Sequence, residues 1–254
     1  MSPLVIGASV LGCVFGGALA GMVLTQVLPP EHLSASSRDV VKVATAMIAT
    51  LAALVVGLLV ASAKTSFDTK QTEFTQLSAH VIVLDRELAQ YGPATGAARA
   101  LLREIVISRL RQIWPDETGG PVEVKVISQG EGIETLQRML RGLDPSDDGQ
   151  RYLKSKMLAT SDDIAEARWL LFEQVRSTIQ WPFLAVVVFW LAILFLSFGL
   201  SAPRNATVIV ALFVSALSVA AAIFLIIQLD QPFEGLIRIS SAPLRSALTV
   251  LGRP

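Results

Sequence analysis

Four long apolar stretches constrain this chain more than any other feature: residues 4–28, 41–63, 183–200 and 206–229, of 25, 23, 18 and 24 residues. Apart from Lys42 near the start of the second, they carry no charge. A helix rises about 1.5 Å per residue, so about 20 residues cross a hydrocarbon core about 30 Å thick. The 183–200 stretch reaches that length when Trp181 and Pro182 sit at headgroup level. One such run can be a buried core helix, but four separated runs require lipid as a solvent. The composition agrees, with 52% hydrophobic and 17% charged residues. The expected fold is therefore an all-α integral membrane protein, with four transmembrane helices in two hairpins and a helical cytoplasmic insert.

Four segments follow. Residues 1–63 form the first hairpin, 64–182 the insert, 183–229 the second hairpin, and 230–254 an interfacial segment and tail. Pro29, Pro30 and the polar stretch after them turn the first hairpin, and residues 201–205 (SAPRN) turn the second. Asn205 or Ser201 is expected to cap a helix, which also explains the NAT triplet at 205–207 better than glycosylation does. The N-terminal run lacks a basic n-region and exceeds a signal peptide's usual 7–15 apolar residues. It reads as a retained first span. Lys64, Lys70, Arg168, Arg176, Arg238, Arg245 and Arg253 lie on the insert's side, against Arg38, Lys42 and Arg204 opposite. That bias places the N-terminus, insert and C-terminus in the cytoplasm.

The insert holds 15 basic and 17 acidic residues and has helical periodicity. Phe67, Phe74, Leu77, Val81 and Leu84 mark one apolar face, ended by Tyr91, Gly92 and Pro93. A second face carries Leu101, Ile105, either Val106 or Ile107, Leu110, Ile113 and Trp114, and Pro115 stops it. Val122, Val124 and Val126 alternate like a strand without an evident partner and stay unassigned. A short helix is expected in the IETLQRMLRGL stretch. A longer one runs from about Gln150 to Pro182, with a break near Ser161–Asp163, which reads as an N-cap signal. The second and third spans are expected to continue as cytoplasmic helices.

Chemistry is sparse. The two histidines, His32 and His80, and the lone Cys13 form no metal-binding spacing, and nucleotide loops and nucleophile elbows are absent. No catalytic residue, cofactor or metal is expected. Lys plus Arg equals Asp plus Glu, 21 each, so nucleic acid is not an expected partner. Gly12, Gly16, Gly17 and Gly21 create two overlapping GxxxG spacings, suited to packing within the subunit or between copies. Thr45 and Thr50 in the second span, and Thr207, Ser215, Ser218 and Gln228 in the fourth, could line an aqueous path or bond their own helices. No ionisable group sits mid-span, which argues against coupled transport and is compatible with an apolar pore constriction. Arg168 and Arg176, near Glu166 and Glu173, form either an anion-attracting mouth or a charged interhelix face.

After the last span comes QLDQPFEGLIRIS, residues 228–240. Asp230 marks the cytoplasmic boundary, Pro232 can start a helical turn, and Glu234 and Arg238 are spaced as i,i+4 neighbours. Phe233, Leu236, Ile237 and Ile239 would form the apolar face of a short foot near the interface or against the insert.

Together, the two hairpins, the helical insert, and the stretches EFTQLSAHVIVLDRELAQYGP, ARWLLFEQVRSTIQWP and QLDQPFEGLIRISSAPL resemble the bacterial bestrophin-like membrane family. The closing Asp230, Pro232, Phe233 and Gly235, and Leu84, Asp85 and Arg86 in the insert, carry the most specific likeness. The resemblance implies a multi-pass protein of the bacterial cytoplasmic (inner) membrane, distantly similar to pentameric anion channels with four spans per subunit. It therefore points to an oligomeric ion channel in the lipid bilayer, conducting small anions. By their position alone, Gln228 and Asp230 are candidates either for its path and mouth or for a structural foot. The aromatic neck and acidic calcium clasp of the eukaryotic channels have no counterpart. The alternative is a non-conducting membrane scaffold or signalling subunit that binds a partner through its cytoplasmic helices.

Overall fold

The computed structural model describes residues 2–27, 29, 35–115, 131–174, 181–233 and 235–251. Those residues form an all-α fold: α1 (Pro3–Val27), α2 (Ala35–Tyr91), α3 (Gly96–Ile113), α4 (Glu131–Arg141), α5 (Asp148–Gln174), α6 (Trp181–Ser201), α7 (Ala206–Asp230) and α8 (Ala242–Val250). Four helices, those carrying the apolar runs, are long and apolar enough to cross a membrane. The chain divides into two compact units, residues 1–67 with 177–238, and residues 68–176 with 239–254.

In the first unit, α1 packs against α6 and α7. Val14 and Ala18 of α1, Val187 of α6, and Ala216 and Ile223 of α7 are fully enclosed, and Ala52 and Ala63 of α2 join the same core. The α1–α6 contact is backbone on backbone. A Cβ at Gly199 would lie 2.0 Å from the Ala18 carbonyl oxygen, and one at Gly21 would lie 2.1 Å from that of Leu196. Such close approach lets dispersion hold helices together where no hydrophobic drive exists. The glycine motif therefore splits. Gly17 and Gly21 face α6, whereas a Cβ on Gly12 or Gly16 would meet nothing within 4 Å.

Local capping shapes the turn between α6 and α7. Asn205 is the N-cap of α7, its Oδ1 accepting from the Val208 N–H at 2.8 Å. Arg204 donates to the Met22 carbonyl and, at 2.7 Å, to Thr25 Oγ1 at the C-terminal end of α1. It thus ties the turn to the last turns of α1, and its charge suits the negative end of the helix dipole. An arginine counted for topology also has a structural task.

In the second unit, α2 buries Phe74, Val81, Leu84 and Leu88. Leu77 of the expected face is only half-buried. Tyr91 ends the helix, Gly92 turns with φ +113°, and a short 3-10 turn, Pro93–Thr95, leads to α3. The buried face of α3 is Ala98, Leu102, Val106 and Leu110, continuing to Trp114. Val106 rather than Ile107 faces inward, and Leu102 replaces the expected Leu101. The enclosed Trp114 lies 5.3 Å from the Phe74 ring and donates from Nε1 to the Ile239 carbonyl at 3.1 Å.

Two expectations are corrected. α5 runs unbroken through Ser161–Asp163. Ser161 Oγ donates to the Leu158 carbonyl at 2.7 Å, and Asp162 accepts from Gln137 at 2.8 Å, so neither side chain caps a new helix. The closing segment also starts no helix at Pro232; the next one begins at Ala242. The Val122–Val126 alternation and His32 lie outside the described residues.

Candidate functional site

On α2, Ala46, Thr50, Ala53, Gly57 and Ala61 recur at three- and four-residue steps and are all exposed. They form one edge of the helix's outer surface, and Met47, Leu51, Leu54 and Leu58 form the adjoining edge. Only 6% of the α2 apolar window is buried, against 39% in α6, so this span leaves most of its surface available to other molecules. Thr50 Oγ1 donates to the Ala46 carbonyl at 3.0 Å, which leaves the oxygen's acceptor capacity directed outward. Further along α2, Asp68, Gln71, Thr72, Thr75 and Gln76 line a shallow, open polar depression in the second unit.

The other hydroxyl candidates occupy different settings. Thr45 is half-buried, Ser215 is exposed, and the exposed Ser218 donates to the Val214 carbonyl at 2.9 Å. Self-bonding by Thr50 and Ser218 is how a helix in lipid satisfies a hydroxyl locally. Arg168 pairs with Glu134 of α4 at 3.0 Å and stacks over Trp169, as a charged interhelix face would. Arg176 lies outside the described residues.

The closing segment is built around Gln228. This residue is buried near the end of α7, and its Oε1 accepts from the Leu236 N–H at 3.0 Å. Gly235 has φ +87°, and a Cβ there would fall 2.1 Å from Gln228 Oε1. Glycine is needed twice, for the left-handed backbone and for the space. Pro232 is buried and Phe233 half-buried. Asp230, expected to mark the cytoplasmic boundary, is buried. Of the proposed apolar foot, Leu236 projects outward, whereas Ile239 is buried in the second unit.

Sequence reading understated the buried charges of the second unit. Asp85 is fully enclosed on α2 and receives two hydrogen bonds from Arg99 of α3, at 2.9 and 3.1 Å. The hydrogen bond to Asp85 holds the Arg99 guanidinium above its usual value, against desolvation. Buried Glu87 lies 3.3 Å from Lys156 Nζ and accepts from Thr160 Oγ1 at 3.0 Å, joining α2 to α5. Burial, and then Arg168, push Arg109 below the usual arginine value, while Glu134 pulls it back up. The available signal was register: Asp85 and Glu87 sit between Leu84 and Leu88, on the helix's buried side.

Among the described residues, no group of three or more His, Cys, Asp or Glu is placed to hold a metal ion. Four apolar helices and an all-helical remainder define a multi-pass membrane protein whose distinguishing features are a largely unpacked second span and a clamped turn after the fourth. The chain belongs to the Bestrophin-like domain family, whose family model matches residues 12–244. No curated protein matches the sequence.

Proposed function

We propose that copies of this chain assemble into an ion-conducting pore in the membrane, with small anions as the permeant class. Family membership supports a channel-like architecture. The observation that carries the reading is the small, hydroxyl-bearing edge of α2 at Ala46, Thr50, Ala53, Gly57 and Ala61, exposed along a span of which little is buried. Lipid contact alone favours large aliphatic side chains, such as those on the adjoining edge. Small residues leave room for a neighbouring copy's helix or a column of water. The helices of one copy enclose little space, so conduction would use a path shared between copies. Thr50 and Gly57 would then face that path, with Thr45, Ser215 and Ser218 as secondary candidates. Gln228 and Asp230 would position the segment at its mouth, and Arg168 and Arg176 would add basic charge on the insert's side.

Purified protein in liposomes, assayed for chloride and potassium flux, tests this reading. Chloride flux that falls in Gly57→Leu, with assembly intact in detergent, is the expected outcome. Flux no greater than that of empty liposomes across pH and calcium conditions, or a strictly monomeric protein, overturns it. A non-conducting scaffold is the second reading. It is supported by the exposed Tyr152 and Trp169 on α5, which suit a protein partner.

A further inference from the structure

The closing turn presents one apolar side chain outward. Leu236 is 82% exposed, more than any other large apolar residue among those described. An exposed leucine on a frayed loop would mean little, but this one is held in place. Its own N–H is the group bound by the buried Gln228 side chain, and a Cβ on Gly235 beside it would push into that same amide. Pro232 anchors the start of the turn by burial, and the Gln231 N–H donates to the Gln228 carbonyl at 3.3 Å. A buried amide that reaches eight residues ahead to fix one amide leaves the next side chain little freedom of direction.

The surroundings indicate what that side chain meets. α6 and α7 are joined only by residues 202–205, so the start of α6 and the end of α7 lie at the same end of this hairpin. The start of α6 carries Trp181 and Phe183, exposed by 57% and 55%. Exposed aromatics at the mouth of an apolar span mark the level where hydrocarbon meets headgroups. α7 stays free of charge through Leu229, and Leu236 follows seven residues later, with the exposed Arg238 two residues beyond it. An apolar side chain, aromatic rings and a cationic head towards the same end of the hairpin fit the boundary between acyl chains and headgroups.

We infer that the turn at residues 231–238 is a membrane-interface anchor in which the Gln228–Gly235 clamp inserts Leu236 into the headgroup–acyl boundary of the bilayer. The anchor sets the depth of the end of α7 and holds the chain at the surface where it leaves the span. It requires no conduction, so it stands or falls separately from the pore.

The test places a nitroxide at Leu236→Cys in full-length protein carrying Cys13→Ser, reconstituted in lipid nanodiscs. Power saturation then compares access of oxygen, which concentrates in lipid, with access of a water-soluble nickel chelate. Leu217→Cys on the exposed face of α7 serves as the lipid reference. Oxygen access several-fold above chelate access at position 236, with a depth shallower than at 217, is the expected result. High chelate access places the side chain in water and overturns the inference. Low access to both reagents places it under protein, as a second copy would, and also overturns it. Adding Gly235→Ala, which displaces Gln228, should raise chelate access at 236 several-fold; an unchanged depth would refute the clamp.

Discussion

Removing Arg99 should expose how much the second unit depends on its buried charges. The Asp85 side chain is 1% exposed and that of Arg99 20%, with Arg99 Nε 2.9 Å from Asp85 Oδ1. At an effective dielectric of about 20, charges at that separation attract by about 6 kcal/mol, much of it offset by the desolvation of both groups. The asymmetry lies in the single deletion. Arg99→Met leaves an unpaired carboxylate inside the protein and should cost about 3–5 kcal/mol. Native-state hydrogen exchange on the full chain in detergent would read this directly. Amides of residues 84–91 and 98–110 should exchange on the order of 10²–10⁴-fold faster at pH 7, where opening of this unit limits exchange.

The Asp85–Arg99 pair also carries a pH dependence. In the wild type, Arg99 is raised above its usual value. Its contribution is therefore fully present throughout the range in which an ordinary arginine is protonated, and is lost only as pH rises through the higher folded value. Asp85→Leu combined with Arg99→Met should recover most of the loss, because neither charge remains to be desolvated. Wild-type exchange rates in Arg99→Met, or no recovery in the double variant, would refute this account.

Two further outcomes follow from helix contacts. Gly199→Val should disrupt the α1–α6 contact, with loss of the monodisperse folded fraction in detergent by size exclusion and near-UV circular dichroism. Gly12→Val should leave that fraction unchanged, because a Cβ at Gly12 meets nothing within 4 Å. Asn205→Ala should destabilise the protein by about 1 kcal/mol through loss of the α7 N-cap, measured as a lower unfolding midpoint in detergent, with Asn205→Asp retaining most of the cap.

The transmembrane helices were legible because lipid leaves an apolar chain few options. With no water to satisfy backbone groups, a long run without mid-span charge folds as a helix. α1, α6 and α7 accordingly fall within two residues of the 4–28, 183–200 and 206–229 runs. Turn chemistry was equally local. Asn205 caps α7, and the Tyr91–Gly92–Pro93 stop ends α2, because both act through the nearest backbone groups. Ser161 misled for a related reason: a serine hydroxyl can start a helix or bond a carbonyl inside one, and only the surrounding packing selects between them. The Val106 alternative likewise needed the neighbouring helices to settle the face of α3.

Periodicity and hydropathy by themselves determined that this chain is helical, where it can cross a membrane and which residues punctuate it, because those properties depend on neighbours within about a turn. Tertiary structure decided which glycines approach another backbone, separating Gly17 and Gly21 from Gly12 and Gly16 though all four share one motif. It also decided that Asp85 and Asp230 are buried and that Leu236 is exposed, against what their polarity suggests. The physical reason is that burial depends on what lies across from a residue. For Leu236 that was a glutamine eight positions earlier, whose amide holds the turn in a shape no hydropathy value encodes.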